Sequence, residues 1–211
     1  MDYVLWTEKF VLPDDTIKNL MDRYQDPYFL KGDPDWGQHF TGYHRNPNHN
    51  VGSHDIDTRF TSLTHSTNVK CVDKELLQLY VPKLKKVMKL MGLIGGKEKP
   101  TPLYSFGSIW GQLYKKDLRA KIDIHNHYMT PNNLLSYVHF IKIPPQKCFY
   151  FQVGDEKIYP ETQGESDLIV FPSYASHGVD TMTSGTIRFV VAGNVTRMNS
   201  VPSSFEKKIS K

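Results

Sequence analysis

The sequence predicts a mainly β protein with helices packed against an antiparallel β core. After Pro102, six short runs rich in β-branched and aromatic residues follow one another, separated by clusters of Gly, Pro, Asn and Asp. No helical pattern lies between these runs, which favours a sandwich or jelly-roll barrel over βαβ units. The runs are LYSFGSIWGQLY, AKIDIHNHY, LLSYVHFIKI, CFYFQVG, SDLIVFPS and GTIRFVVAGN.

Two segments of the front half have the period of a helix. Residues 13–25 begin with acidic residues and repeat apolar residues on one side, which predicts an N-capped amphipathic helix. Residues 73–90 carry a longer apolar stripe that only Pro82 interrupts. We therefore expect two helices ahead of the β core.

Between the two predicted helices, residues 26–68 are rich in Asn, Asp, Gly and Pro and have almost no period. A loop of this length in a compact domain is typical of a lid or a binding rim, here predicted to lie over the mouth of the barrel. Its five histidines, from His39 to His65, together with Asp55 and Asp57, could form a metal site. A polar loop is the plainer interpretation of the same residues.

Composition argues against several classes of protein. The 26 basic and 22 acidic residues give a formal charge of +4, too small an excess to indicate a nucleic-acid partner. Cys71 and Cys148 form no C-x-x-C pair, so neither a structural zinc site nor a disulfide scaffold is indicated. The N-terminal residues lack the pattern of a signal peptide, and no stretch approaches ~20 apolar residues. We expect a soluble cytoplasmic protein without a membrane span.

The segment KIDIHNH places Asp123, His125 and His127 at alternating positions. Residues i, i+2 and i+4 of a strand point to the same face, so these three side chains are predicted to share one surface. Two imidazoles at that spacing lie about 6–7 Å apart and could hold one metal ion. His177, predicted on a turn directly after an apolar strand, could supply a third ligand. A single histidine, however, is more often a hydrogen-bonded residue than a metal ligand.

Arg188 lies in the apolar run GTIRFVVAGN. An unpaired guanidinium buried in such a strand would be costly, so Arg188 should face an anion. Either a protein carboxylate or a bound ligand could be that anion, and the residues themselves leave both open.

The order of these motifs resembles the iron(II)/2-oxoglutarate-dependent dioxygenases, in particular the prolyl-hydroxylase-like oxygenases of phages and marine bacteria. The resemblance covers about half of the chain, from Tyr104 to Thr196, and the first hundred residues carry none of it. It rests on Trp110 to Tyr114, His125 to His127, Ser136 to Phe140, Ile158 to Pro160, Gly164, Phe171 to Ser173, His177 to Val179 and Arg188 to Asn194.

The resemblance implies a double-stranded β-helix with an iron site at its mouth. The first iron ligand of the family falls on His125, its last ligand on His177, and the arginine that binds 2-oxoglutarate on Arg188. Tyr114, on the strand before the histidine pair, could donate a further hydrogen bond to the same cosubstrate. The implied activity is hydroxylation of a C–H group, with iron(II) and 2-oxoglutarate as cofactors.

The sequence departs from the family at the middle ligand, because no histidine is followed two residues later by an acid. Three alternatives remain: a three-histidine site that includes His127, a site completed by Asp123, or a degenerate domain without iron. The three-histidine site is favoured because the phage branch looks similar at this position. Val190 also stands where the family often has a hydroxyl residue, two positions after Arg188, so the carboxylate would have one donor fewer.

Two other classes compete with the oxygenase. A cupin-type metalloenzyme without 2-oxoglutarate also uses H-x-H and a distant histidine, but HYMTPNN lacks the glutamate that usually follows. A non-catalytic jelly-roll domain of a virus would act as a binding or structural module and would catalyse no reaction.

We expect one domain over residues 1–211, with a helical and loop-rich elaboration at 1–100, a β core at 102–196 and a basic tail at 197–211. The expected partner is a small-molecule or peptide substrate, by analogy a peptidyl proline. The expected location of the protein is the cytoplasm, or the host cytoplasm if the protein is viral.

Overall fold

The structure is a computed structural model that describes residues 6–25, 59–60, 74–95, 103–114, 122–127, 132–180 and 187–198. The helices in these ranges are α1 (Asp14–Gln25) and α2 (Lys74–Leu90). The strands are β1 (Trp6–Lys9), β2 (Arg59–Phe60), β3 (Leu103–Tyr114), β4 (Ile122–His125), β5 (Asn133–Lys142), β6 (Phe149–Val153), β7 (Glu156–Ile158), β8 (Asp167–Pro172), β9 (His177–Val179) and β10 (Arg188–Met198).

Within the described ranges the strands form two antiparallel sheets. The larger sheet has six strands in the order β1-β8-β5-β10-β3-β2, and the smaller has four in the order β4-β9-β6-β7. From β3 onward the chain passes repeatedly from one sheet to the other, which is the winding of a double-stranded β-helix. The predicted fold class, a mainly β core with packed helices, is therefore confirmed.

Two apolar cores lie on opposite sides of the larger sheet. One core is formed between that sheet and the helices, and the other lies between the two sheets. Alternate residues of β10 divide between them: Phe189 and Val191 join the helix side, whereas Val190 faces the smaller sheet. This division follows from the period of two in a strand. The helices bury a row of apolar residues in the first core: Leu20, Leu76, Tyr80, Leu84, Val87 and Met88.

Both helix predictions are confirmed, since α1 and α2 match the predicted segments to within a residue at each end. Pro82 lies inside α2 without ending it. Its ring is on the exposed side of the helix, while Tyr80 and Leu84 on the other side are buried. Neither described helix is both long and apolar enough to cross a membrane.

All six predicted strands are present, and β3 matches its predicted run at both ends. β10 continues to Met198, so the first residues assigned to a basic tail belong to the sheet. Four strands were not predicted, namely β1, β2, β7 and β9, and each has four residues or fewer. Such short strands show too few alternations to be recognised in the sequence. Apart from Arg59–Phe60, which pairs with β3, the predicted rim and its histidines lie outside the described residues.

Candidate metal centre

Three histidines converge beside the core between the two sheets. The ring nitrogens of His125, His127 and His177 that could bind a metal all lie within 4.8 Å of one another. The ring centroids of His125 and His177 are 4.4 Å apart, and His127 lies 5.1 Å and 5.2 Å from these two rings. The structure thus brings together the three residues that the sequence analysis named as candidate ligands.

His125 and His177 are brought together by the pairing of β4 with β9. They are direct partners in the antiparallel register, so their side chains point to the same face. His177 begins β9 instead of lying on the predicted turn, and this is a correction to the sequence analysis. Its side chain is buried against Phe149 and Phe171, with ring centroids 5.8 Å and 5.0 Å away.

The tautomer of His177 follows from its hydrogen bond. Its Nδ1 atom is 2.9 Å from the carbonyl oxygen of Ala175. A carbonyl oxygen can only accept, so Nδ1 carries the proton and donates it. Nε2 is then the atom left to bind a metal, and the hydrogen bond fixes the orientation of the ring.

His127 is positioned differently from the prediction. β4 ends at His125, and the pairing of β4 with β9 is irregular between Ile122 and His125. The simple alternation assumed for this segment was therefore wrong, although it named the right histidines. His127 is held after the strand instead: its backbone N–H donates to the carbonyl of Ser173 at 2.9 Å, and its carbonyl accepts from Nδ2 of Asn133 at 3.0 Å.

Burial keeps the imidazoles of His127 and His177 neutral. Loss of solvent lowers the pKa of His127 to about 4, and the neighbouring His125 lowers it further in the same sense. Burial, followed by His125 and His127, also holds the pKa of His177 well below its usual value, against the hydrogen bond to Ala175 that raises it. A neutral imidazole has a lone pair for a metal, so His127 and His177 are in their metal-binding form at neutral pH.

The histidines open into a cleft of about 410 Å³, a volume that includes solvent at its mouth. Arg188 lines the same cleft although only 1% of its surface is exposed. The cleft also has aromatic and aliphatic walls and a few polar side chains. Its other lining residues are Trp110, Gln112, Ser136, Tyr137, Val138, Phe149, Phe171, Val179, Ala192 and Gly193.

The pairing of β10 with β3 fixes the positions of residues along one wall of the cleft. Ala192 pairs with Trp110, Val190 with Gln112 and Arg188 with Tyr114. Four residues of an antiparallel strand span about 13 Å, so Arg188 lies roughly that far along the wall from the level of Ala192. The indole of Trp110 is 5.9 Å from the ring of His127 by centroids, which places the metal cluster near that level.

Two predicted residues are located only by their backbones. The register puts Tyr114 directly opposite Arg188, on the strand and in the phase that the sequence analysis gave it. Asp123 lies in the irregular part of β4. The side chains of both residues lie outside the described part of the structure, so their predicted roles stay predictions.

Several residues that line the cleft were given no role by the sequence analysis. Trp110 and Phe171 are buried, and both line the cleft and lie beside a histidine ring. Phe140, in contrast, belongs to the core between the two sheets. Gln112 was not singled out for a role. Its alternation with Trp110 and Tyr114 was the available signal, but only the register with β10 shows that it approaches Arg188.

Comparisons with known proteins find similar structures but no similar sequences. No protein-family model matches the sequence, and a search of curated proteins finds no match. Solved structures do match. A prolyl-4-hydroxylase from Pseudomonas putida is 13% identical with a TM-score of 0.52, covering 93% of this chain and 94% of its own. A prolyl hydroxylase from Trichoplax adhaerens, in complex with a hypoxia inducible factor peptide, is 10% identical with a TM-score of 0.53, covering 98% and 87%.

A third match has a different activity. The non-heme, alpha-ketoglutarate-dependent carbocyclase SnoK of nogalamycin biosynthesis is 10% identical with a TM-score of 0.58, covering 98% of this chain and 86% of its own. The chain has the fold of the 2-oxoglutarate/iron(II) oxygenases. Because hydroxylases and a carbocyclase share this oxygenase fold, the fold does not by itself name a reaction.

Proposed function

We propose that the protein is an iron(II)- and 2-oxoglutarate-dependent oxygenase that hydroxylates a C–H group of a peptide or small molecule. One observation carries the proposal. The histidine cluster and the buried Arg188 line one cleft at different levels along β10. A metal site and a carboxylate site separated in this way suit the two ends of a metal-bound 2-oxo diacid.

His125, His127 and His177 would hold the iron. Imidazole is a suitable ligand for iron, and three nitrogens on one side leave positions open for other ligands. A metal about 2.1 Å from each nitrogen needs nitrogen separations of about 3.0–3.4 Å, so nitrogens now within 4.8 Å need only small ring rotations. Three neutral ligands leave the iron one negative charge poorer than a site of two histidines and a carboxylate, which changes its redox tuning.

Arg188 would bind the distal carboxylate of 2-oxoglutarate. A guanidinium matches a carboxylate through two parallel N–H···O bonds, and such a pair is strongest where water is excluded. Arg188 is almost completely buried and its neighbour Val190 on the same face is apolar, so this end of the cleft is dry. Tyr114, opposite Arg188 in the register, would add a hydroxyl donor.

With both cofactors bound, the iron and 2-oxoglutarate would supply the oxidation. One atom of dioxygen enters the substrate as a hydroxyl group, and the other enters succinate as 2-oxoglutarate loses carbon dioxide. The chain's own part is to position and shield. His177 is held by Ala175, His127 is held by Ser173, and the ring of Phe171 covers His177 from water.

The first substrate class to test is a peptidyl proline, because two of the similar structures are prolyl hydroxylases. A free amino acid or another small metabolite comes next, since the carbocyclase shows that the fold is not confined to peptides. The likeness in fold does not choose between these classes, so both belong in one substrate panel.

The test measures succinate formed from isotopically labelled 2-oxoglutarate by iron(II)-loaded protein, with and without each candidate substrate. We expect succinate only when iron is present, and a coupled hydroxylated product with the correct substrate. Binding of iron without binding or turnover of 2-oxoglutarate would favour a cupin-type metalloenzyme. Binding of neither would leave the non-catalytic jelly-roll domain.

A further inference from the structure

Gln112 stands next to Arg188 on the wall of the cleft. It lies on β3 directly opposite Val190 and is therefore the diagonal neighbour of Arg188, which pairs with Tyr114. Diagonal side chains on one face of an antiparallel pair are about 7–8 Å apart at their bases, within reach of long side chains. Gln112 is 9% exposed and lines the same cleft as Arg188 and the histidines.

We infer that Gln112 is a further donor to the distal carboxylate of the cosubstrate, in addition to Arg188 and Tyr114, and that it helps the cleft to select a 2-oxo acid with a carboxylate at both ends. The inference rests on the proposed function. The side-chain NH₂ group of Gln112 would donate beside Arg188, in place of a donor at Val190, whose side chain has none.

A carboxylate at this depth needs more donors than one guanidinium supplies. Its two oxygens offer about four acceptor sites, and a bidentate arginine fills two of them. An acceptor left unsatisfied in a buried site weakens binding, because the group has lost its water without gaining a donor. Val190, the next residue of β10 on the same face as Arg188, is apolar and cannot serve as a donor.

Two other described lining residues carry a hydroxyl, Tyr137 and Ser136. Tyr137 pairs with Gly193, five residues along β10 from Arg188, and belongs to the core on the helix side of the larger sheet. Ser136 is also poorly placed. Its hydroxyl already donates to Oδ1 of Asn194 at 2.7 Å, and Asn194 is its register partner. Asn194 is six residues along β10 from Arg188, which is about 20 Å at the rise of a strand. Gln112 is thus the neutral donor nearest to Arg188 among the described residues of the cleft.

An amide also suits the charge balance of the site. One guanidinium neutralises one carboxylate, so a second cation would leave an excess positive charge in a dry pocket. A neutral amide adds a donor without adding charge. Replacing it with the isosteric Glu would place two carboxylates side by side, which would oppose binding of the diacid.

The test compares the affinities of the metal-loaded protein for two ligands under anaerobic conditions. One ligand is 2-oxoglutarate; the other is 2-oxobutyrate, which keeps the 2-oxo acid but lacks the distal carboxylate. We expect Gln112→Met to bind 2-oxoglutarate about tenfold more weakly, the effect of one lost hydrogen bond, and Gln112→Glu to bind it more weakly still. Affinity for 2-oxobutyrate and for the metal should be unchanged.

Gln152→Met and Gln152→Glu are the matched controls, because Gln152 is outside the cleft and donates to the carbonyl of Gly154 at 2.7 Å. Gln112→Asn, which retracts the amide by one methylene, gives a milder second variant if Gln112→Met fails to fold by its melting curve. Equal 2-oxoglutarate affinity in wild type and the Gln112 variants would overturn the inference alone. A wild-type protein that binds metal but no 2-oxoglutarate would overturn the proposed function and the inference together.

Discussion

His125 and His177 are register partners on β4 and β9, with ring centroids 4.4 Å apart. Two residues far apart in the sequence are therefore fixed as neighbours by one pair of strands. The third histidine, His127, is added by a backbone hydrogen bond to Ser173 at the end of β8. The candidate metal centre thus depends on three separate strand ends that only the complete β-helix brings together.

Removing either register partner should abolish metal binding. We expect His125→Ala and His177→Ala to lose stoichiometric iron, because two remaining imidazoles hold an ion too weakly. Asn126→Ala is the matched control, since Asn126 is exposed between two of the ligands. The check is metal analysis of purified, iron-loaded protein, and full iron in both histidine variants would exclude this site.

The middle ligand can be assigned by a pair of substitutions. If His127 is the ligand, His127→Ala should weaken metal binding, whereas His127→Asp should retain it by supplying a carboxylate in the same place. Asp123→Asn should bind metal as wild type does. Metal affinities from chelator competition decide the matter; loss of metal in Asp123→Asn together with full binding in His127→Ala would assign the carboxylate instead.

Arg188 should control the cosubstrate without affecting the metal. We expect Arg188→Met to weaken binding of 2-oxoglutarate by more than a hundredfold, because a bidentate ion pair in a dry pocket is worth several kcal/mol. Iron binding should be unchanged. Arg197→Met, an exposed position on the same strand, is the control.

A structural role for Arg188 predicts a different result. If its partner were a protein carboxylate, Arg188→Met would orphan a buried charge and lower the free energy of unfolding by about 3–5 kcal/mol. Binding of 2-oxoglutarate by the folded protein would then remain. Calorimetric titration and melting temperature, measured on the same samples, separate the two roles.

A second buried histidine, on the helix side of the larger sheet, should make stability depend on pH. His139 is 1% exposed, and its Nδ1 is 2.5 Å from the hydroxyl of Tyr80. Burial lowers the pKa of His139 to about 4; the Phe10 backbone and Asp167 oppose this shift, and Lys83 adds to it.

The unfolded chain binds this proton near pH 6.5 and the folded chain only near pH 4, so acidification through that window favours unfolding. Because of His139, we expect the free energy of unfolding to fall by about 2 kcal/mol when the pH is lowered from 7.5 to 5. His139→Gln, which keeps a hydrogen-bonding group for Tyr80, should remove that part of the loss. Urea unfolding at both pH values measures it, and an identical pH dependence in variant and wild type would refute the assignment.

The elements that the sequence predicted are those that a local pattern of residues determines. The apolar stripe of α2 and the alternation of β3 identified both elements, because the period of each persists over many residues. β9, with only His177 to Val179, is too short to show a period. Its existence depends on pairing with β4 and β6, which is decided by the fold and not by its own residues.

The candidate site shows the same division. His125 and His127 stand out by their spacing and Arg188 by its apolar surroundings, so the sequence could nominate them. The nearness of Gln112 to Arg188 is a property of the register between β3 and β10, which no local pattern encodes. The irregularity in β4 likewise could not be seen, because an extra residue in a strand is recognised only against its partner.

The two proposed binding sites would be seen together in a crystal structure of the protein grown with 2-oxoglutarate and Mn(II), which replaces iron without its redox chemistry. We expect one metal ion bound by His125, His127 and His177, with the 2-oxo acid on the metal and the distal carboxylate on Arg188. A metal bound elsewhere, or a site in which Arg188 pairs with a protein carboxylate and no 2-oxoglutarate is bound, would contradict this expectation.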